Sequence, residues 1–252
     1  MKKCECGGKG YKIVNNVMEP CICGVKRYRE KIWKMSGIPY VYWDLDVDMI
    51  DLNTPSIEEM EKNESTLKII NNYKANFKEM VSSNIGLYIK GAHGNGKTLV
   101  ACDIAKHVSL LKKEDGSYHK VFFCTFKGAL NIMWGGRSYD PLFQNVIDQE
   151  KQRELFFEYW NNSDLRIIDV VGKEGTTKSG NEASVLDELA RSNAYGEKKS
   201  IIFTSNILTE KLSKIYNANI DSILSDKIIH IEMHGGNFRK TKVETIKEKL
   251  LK

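Results

Sequence analysis

The sequence lacks any long apolar run. No stretch of its 252 residues approaches the roughly 20 consecutive apolar residues that an α-helix needs to cross a bilayer. The first residues, Met-Lys-Lys-Cys-Glu-Cys, also lack the apolar region of a secretory signal peptide. We therefore expect neither a membrane span nor a membrane partner, and the sequence predicts a cytoplasmic protein. Internal repeats and low-complexity linkers are absent as well.

Neither positive nor negative charge dominates, but the charged residues are unevenly distributed along the chain. The formal net charge is +5 at pH 7, and 41% hydrophobic with 28% charged residues is ordinary for a globular protein. Residues 1–35 hold nine Lys or Arg against three Glu, residues 44–64 are acidic apart from Lys62, and the tail from Arg239 onward is basic. This asymmetry allows nucleic-acid contacts at both ends, although basic faces are often simply solvated.

Four of the six cysteines cluster near the start of the sequence, as Cys4-x-Cys6 and Cys21-x-Cys23. In a reducing cytoplasm, four clustered thiols favour a metal site over two disulfides, and four thiolates satisfy a closed tetrahedral structural zinc site. The spacing is tighter than the commoner C-x-x-C, so an iron–sulfur site and free thiols remain alternatives. Few other residues in this segment are apolar, so the metal would supply most of its folding energy.

The stretch from residue 85 to residue 98 is the most informative one. Its second half, Gly91-Ala-His-Gly-Asn-Gly-Lys-Thr98, fits G-x-x-x-x-G-K-[ST] and lies between an apolar run typical of a buried strand and a predicted helix. In such a P-loop the backbone N–H groups and the helix N-terminus surround phosphates, Lys97 reaches the β- and γ-phosphates, and the Thr98 hydroxyl is a ligand for Mg²⁺. The residues predicted to contact the nucleotide are Gly91, Ala92, His93, Gly94, Asn95, Gly96, Lys97, Thr98 and Leu99.

Helical and strand patterns alternate along most of the chain and predict an α/β fold with a parallel sheet flanked by helices. Residues 38–55 have no clear period and indicate a connector packed against the next domain. Cys102 and Cys124 lie in apolar elements and are predicted to be buried. The predicted elements are a helix over about 56–82 begun by a capping box at Ser56 and Glu59, a strand before the P-loop, a helix over about 97–113, a strand over 120–126, helices over 127–134 and 141–161, a strand over 164–171, a helix over about 181–195 and a strand over 200–205.

Three further positions fit roles in nucleotide chemistry. Asp169 follows the predicted strand segment 165–168, where a carboxylate at the carboxyl edge of a sheet holds Mg²⁺ through water, as a Walker B aspartate does. Asn206, at the end of the next strand, fits a group that orients the attacking water. Arg239 fits a lid arginine over the nucleotide. As alternatives, Asp169 is an acidic turn residue, Asn206 is an ordinary turn former and Arg239 is a solvated surface charge.

The order of these motifs resembles that of the bacterial replicative helicase loaders of the DnaC/DnaI type, within the AAA+ ATPases. The resemblance covers nearly the whole chain. The matching features, in order, are the cysteine-bearing segment, Gly37-Ile-Pro followed by aromatic and acidic residues, the P-loop, Ile168-Asp-x-x-Gly-x-Glu174, a strand that ends Thr-Ser-Asn206, and the final Gly235-x-x-x-Arg239.

This resemblance implies a fold, ligands and partners. The implied fold is an AAA+ core preceded by a small Cys4 zinc module, with residues 1–37 as the zinc module, 38–82 as connector and helix, and 83–252 as the AAA+ domain. ATP, Mg²⁺ and Zn²⁺ are the implied cofactors. The implied partners are the replicative hexameric helicase and single-stranded DNA, with self-assembly or assembly on the helicase ring. Lys127 and Arg137 are candidate DNA contacts or plain surface charges.

The sequence departs from the family pattern where hydrolysis is supported. Val170 stands where the family has a second carboxylate, and Glu174 follows only after a glycine. In the family, a Ser-Arg-Leu segment often supplies an arginine to the neighbouring subunit, but the matching segment here is Ser222-Ile-Leu and has no arginine. The arginine of the family's Arg-Tyr pair is also replaced, by Ala194, and Arg191 lies three positions earlier. A trans arginine is worth several powers of ten in rate. ATP is therefore predicted to act as a switch with weak or partner-dependent hydrolysis.

The predicted catalytic set is Lys97, Asp169, Glu174 and Asn206. Two other functions remain alternatives. A transposition-helper ATPase would coat duplex DNA and hydrolyse ATP faster, but such helpers usually lack the cysteine module. A helicase-capturing inhibitor would use ATP structurally or not at all, and the missing catalytic groups favour it. A GTPase or a kinase lacks support, because neither an N-K-x-D guanine signature nor an acceptor-binding signature is present.

Overall fold

The architecture comes from a computed structural model, which describes residues 4, 6–47, 57–172, 181–194, 198–207 and 226–235. Glu174, Arg239 and the segment 222–224 lie outside these described residues, as does the capping residue Ser56. Among the helices in the described ranges, none combines the length and the apolar character of a membrane span.

The elements follow one another from a small N-terminal hairpin into an alternation of helices and strands. A short 3₁₀ turn covers Tyr40–Tyr42. In chain order the elements are β1 (Tyr11–Val14), β2 (Val17–Pro20), α1 (Ile22–Met35), α2 (Ile57–Ala75), α3 (Phe77–Ser82), β3 (Gly86–Gly91), α4 (Lys97–Val108), β4 (Val121–Thr125), α5 (Phe126–Met133), α6 (Gln149–Asn162), β5 (Leu165–Val171), α7 (Asn181–Ala194), β6 (Ser200–Ser205) and β7 (Ile228–Met233).

The strands after residue 85 form a parallel sheet in the order β4-β5-β6-β3-β7. Its central strands are buried on both faces, which explains their continuous apolar runs in the sequence. The α/β prediction is therefore confirmed. Since β5, β6 and β3 are neighbours and parallel, their carboxyl ends meet at one edge of the sheet, where the P-loop begins.

An apolar layer covers each face of the sheet. One layer is formed by α2 and α4 and includes the fully buried Ile70 and Ile104. The other is formed by α5, α6 and α7 and is aromatic, with Phe156 and Trp160 stacked at 5.9 Å between ring centroids. Cys102 lies in the first layer and Cys124 in the second, and both are fully buried, as predicted.

The segment after α1 joins the first of these layers. Ile38 and Val47 are buried against α4 and the sheet. The Phe123 N–H donates to the Ser36 carbonyl at 2.9 Å, so this segment satisfies part of the exposed edge of β4. The predicted packing of the connector is confirmed for residues 38–47.

The helix predicted over 56–82 is two helices, because the chain breaks at Asn76. The Asn76 backbone leaves the helical region, with φ −106° and ψ 25°. Its side-chain amide donates to the Asn72 carbonyl at 2.9 Å and satisfies a carbonyl at the end of α2. The new direction brings Phe77 into the core, where it is 1% exposed.

The helix predicted over 141–161 begins only at Gln149, because a buried side chain holds the preceding residues in an irregular path. The Gln152 amide, which is fully buried, donates to the carbonyls of Ser138, Phe143 and Val146 at 3.1, 2.9 and 2.7 Å. These carbonyls are then unavailable to a helix. The helix predicted over 97–113 likewise ends earlier, at Val108.

Candidate nucleotide-binding site

The P-loop joins β3 to α4 by backbone conformations that only glycine adopts readily. Gly94 and Gly96 have φ values of 82° and 93°. Gly91 needs the absence of a side chain, because a Cβ there would lie 2.5 Å from the carbonyl oxygen of Met233. The loop is thereby fixed at the N-terminus of α4, where the helix dipole favours an anion.

Asn95 anchors this loop to the edge strand. Its side chain is fully buried and donates to the carbonyl of Met233 at the end of β7. The Lys97 ammonium lies inside the loop, where it donates to the carbonyls of Gly91 and Ala92 at 2.9 and 2.6 Å and to Asn95 Oδ1 at 3.1 Å. The loop sequence predicted nucleotide contact for Asn95, but not its bond to a strand 138 residues away.

The Asp169 side chain, on β5, contacts Thr98 at the end of the P-loop. The Thr98 hydroxyl donates to Asp169 Oδ1 at 2.9 Å, and the Thr204 hydroxyl donates to the same oxygen at 2.6 Å. Burial raises the pKa of Asp169, while the hydrogen bonds from Thr204 and Thr98 and the charge of Lys97 oppose that rise. A hydroxyl beside a carboxylate is an oxygen donor set that suits Mg²⁺.

Val170 adopts a conformation that is rare for a β-branched residue, with φ 63°. Its N–H donates to the Thr204 hydroxyl at 2.8 Å. The pairing of β5 with β6 shifts register between Ile168 and Val171, which marks a bulge. Val170, at the position where the helicase loaders have a second carboxylate, is therefore an apolar residue in an irregular part of the strand.

The remaining predicted site residues lie around this edge. Ala92 and His93 are exposed in the loop, and Leu99 is half-buried in the first turn of α4. Asn206 is half-buried and directly follows β6, at the same edge as Asp169. Its neighbour Ser205 donates to the Val171 carbonyl at 2.8 Å, which ties the end of β6 to β5.

The four N-terminal cysteines come together as predicted. Their sulfur atoms all lie within 4.8 Å of one another, with 3.1 Å between Cys4 and Cys21 and between Cys6 and Cys23. Tetrahedral Zn–S bonds of about 2.3 Å would separate the sulfurs by about 3.8 Å. The hydrogen bond between Cys6 and Cys23 lowers the pKa of the Cys6 thiol to about 6 and raises the pKa of the Cys23 thiol to about 12. The cluster therefore fits a metal ion.

A second surface feature surrounds the glycine pair after α5. We call Trp134, Arg137 and Tyr139 the aromatic surface. Trp134 is 48% and Tyr139 72% exposed. The Arg137 guanidinium lies over the Tyr139 ring, 5.4 Å from its centroid. Sequence reasoning selected Arg137 but missed the aromatics, although they flank the Gly-Gly-Arg stretch on both sides.

Solved structures of similar fold are known, whereas no protein-family model and no curated protein sequence matches the chain. The DnaC helicase loader aligns with a TM-score of 0.55 at 18% identity, over 78% of this chain and 100% of that one. DnaI aligns with a TM-score of 0.52 at 20% identity, over 79% and 93%. Domain III of the Thermotoga maritima replication initiation protein DnaA aligns with a TM-score of 0.50 at 18% identity, over 73% and 64%.

The five-stranded parallel sheet flanked by helices matches the AAA+ P-loop fold, and it is preceded by a cysteine cluster that could hold a metal ion. Within this class, the predicted resemblance to helicase loaders of the DnaC/DnaI type is confirmed at the level of the fold. At identities of 18–20%, the similarity establishes shared architecture and no shared activity.

Proposed function

We propose that this chain is an ATP-binding helicase loader that delivers the replicative DNA helicase onto single-stranded DNA. The observation that carries the ATP part is the contact of Thr98 with Asp169 beside the P-loop. The phosphates would bind the loop N–H groups and the N-terminus of α4, and the Lys97 ammonium would turn from its carbonyl partners to them. Thr98 and Asp169 would hold Mg²⁺, which neutralises phosphate charge.

Hydrolysis is proposed to be slow. Val170 carries no carboxylate to activate water, and the segment 222–224 carries no arginine to stabilise the transition state. The remaining candidates, Glu174 to activate water and Asn206 to orient it, keep their predicted roles as part of the proposal. ATP would then act mainly as a conformational ligand, stabilising the state that binds it better.

The loader role is supported by the shared fold with structures named the DnaC helicase loader and DnaI. The aromatic surface supports single-stranded DNA as a ligand, because exposed rings beside a cation are what bases stack on. The cysteine module, proposed to hold Zn²⁺, exposes apolar side chains that suit a protein partner, here the hexameric helicase. These are Ile13, Val17, Met18 and Ile22, each more than 60% exposed.

The first experiment measures ATP binding and turnover by the zinc-replete chain, with and without single-stranded DNA. We expect ATP binding that needs Lys97, with Lys97→Ala weakening it tenfold to a hundredfold because charge-assisted bonds to phosphate are lost. Turnover on the order of 10⁻³ per second is expected, as for P-loop enzymes without an arginine finger. Lys78→Ala, which changes an exposed lysine of α3, is the matched control.

Rapid ATP turnover in the presence of DNA would contradict the proposal that ATP acts as a switch. Catalysis would then be assigned to other groups, with Glu174 as the first candidate.

The absence of a catalytic carboxylate at Val170 also favours the second candidate function, a helicase-capturing inhibitor. A helicase-loading assay with the captured helicase separates the two. Helicase bound and placed on single-stranded DNA supports the loader, and helicase bound but never placed supports the inhibitor. Turnover stimulated by duplex DNA would instead indicate a transposition-helper ATPase.

A further inference from the structure

The bulge beside Asp169 sets two residues of β5 against one residue of β6. Ile168 pairs with Phe203, and the next paired residues are Val171 and Ser205. Asp169 and Val170 therefore share Thr204 as their neighbour on β6. A bulge of this kind interrupts the hydrogen-bond ladder and re-aims a side chain.

Thr204 replaces the missing ladder contact with its side chain. Its hydroxyl accepts the Val170 N–H at 2.8 Å and donates to Asp169 Oδ1 at 2.6 Å. A hydroxyl has one proton to donate, so its donor is fully used by the carboxylate. Thr204 is completely buried, and water cannot take over either contact.

The backbone needs this support because Val170 sits at φ 63°. A β-branched residue is disfavoured in the left-handed region, and such a conformation persists only where its surroundings fix it. A valine in place of Thr204 would fill the same volume but would leave the Val170 N–H without its hydroxyl acceptor. The hydroxyl, rather than the packing, is thus the part of Thr204 that the bulge requires.

We propose that Thr204 is a positioning residue for Asp169: its hydroxyl holds the bulge and aims the carboxylate at Thr98 and the Mg²⁺ that the two would share. This inference rests on the proposed ATP function and deepens it. The sequence pattern assigned Asn206, which follows β6, to the site. It did not assign Thr204, which lies two residues earlier in β6.

The test compares Thr204→Val, which removes the hydroxyl, with Thr204→Ser, which keeps it. Ser200→Ala is the matched control, because Ser200 is a buried hydroxyl at the other end of β6 that donates to the Ile85 carbonyl at 2.6 Å. The first readout is hydrogen exchange of the Val170 amide in the ligand-free protein. The second is ATP affinity with Mg²⁺ and with EDTA in its place.

We expect Thr204→Val to speed exchange of the Val170 amide at least tenfold and to reduce the gain in ATP affinity from Mg²⁺ about tenfold, since a bond to a charged group is lost. ATP affinity in EDTA should change less than twofold. Thr204→Ser should restore both readouts to within about threefold of the unmodified chain. Ser200→Ala should lower the Tm and leave both readouts unchanged.

Unchanged exchange and unchanged Mg²⁺ dependence in Thr204→Val would overturn the inference and leave the ATP proposal standing. An unmodified chain that binds no ATP would overturn the proposed function, whereas the exchange readout would still test the bulge. If Thr204→Val does not fold, Thr204→Ala takes its place against Thr204→Ser. Equal values for those two variants would also overturn the inference.

Discussion

At the scale of single residues, the backbone of Val170 is as informative as its side chain. The missing carboxylate was visible in the sequence, but the left-handed conformation was not. In that region the Cβ of an L-residue costs roughly 1–2 kcal/mol, and glycine avoids this cost. The strain is located beside Asp169, where a functional site tolerates it.

A pair of substitutions measures this strain. Glycine normally destabilises a protein relative to alanine by about 0.5–1 kcal/mol. At Val170 we expect the opposite order, with Val170→Gly more stable than Val170→Ala by about 1 kcal/mol, because only alanine keeps a Cβ at positive φ. Urea denaturation of both variants gives the difference.

The control pair is Val100→Gly and Val100→Ala, in the buried interior of α4, where glycine should be the less stable by about 1 kcal/mol. The same order at both positions would show that the native backbone at Val170 is not left-handed.

At the scale of elements, the cysteine module and the sheet depend on different sources of stability. The strands of the hairpin β1–β2 are almost entirely exposed, and α1 has no buried residue. The sheet, in contrast, has an apolar layer on each face. The hairpin therefore needs the cluster of four thiols, and the sheet does not.

Removal of the proposed zinc ion should unfold the hairpin and spare the sheet. We expect a strong chelator to abolish hydrogen-exchange protection over Tyr11–Pro20, while the amides of β3, β5 and β6 remain protected. Cys21→Ser should have the same effect and should lose the bound zinc in elemental analysis. Cys102→Ala, a buried cysteine of the apolar layer, should keep the zinc. A hairpin that stays protected without metal would refute the dependence.

At the scale of the whole molecule, the aromatic surface and the nucleotide site lie at neighbouring strand ends. Thr125 at the end of β4 pairs with Asp169 on β5. Asp140, next to Tyr139, accepts the Thr125 N–H at 2.8 Å and its hydroxyl at 3.0 Å. The loop that carries Tyr139 is thus fixed to the same edge of the sheet as the P-loop.

The proposed binding of single-stranded DNA would take place at the aromatic surface. Tyr139→Ala and Trp134→Ala should each weaken binding of a labelled oligothymidine by about fivefold or more, because stacking on one ring is worth about 1–3 kcal/mol. Tyr40→Ala, an equally exposed tyrosine outside the aromatic surface, is the control and should change affinity less than twofold. Fluorescence anisotropy at fixed salt measures this. A larger loss for Tyr40→Ala than for Tyr139→Ala would exclude the aromatic surface as the DNA site.

Features that depend on local spacing could be predicted from the amino-acid sequence alone. The P-loop between a strand and a helix, the alternation that gives the parallel sheet, and the cysteine cluster all follow from residues that are close in the chain or from repeating periods. The location of Asp169 beside the P-loop could be predicted because parallel strands end at one edge, while its Walker B role stays a prediction. The division into residues 1–37, 38–82 and 83–252 stays a prediction, as do the roles of Glu174 and Arg239.

Features that depend on contacts between distant residues became visible in the folded structure. The strand β7 and the hairpin β1–β2 were not predicted, and Asn95 finds its acceptor in β7, 138 residues away. The bulge at Val170 exists because Thr204, on another strand, offers a hydroxyl where the ladder has none. Periodicity reports which face of an element is apolar, but it carries no information about which strand lies beside it, so such partners become visible only in the folded chain.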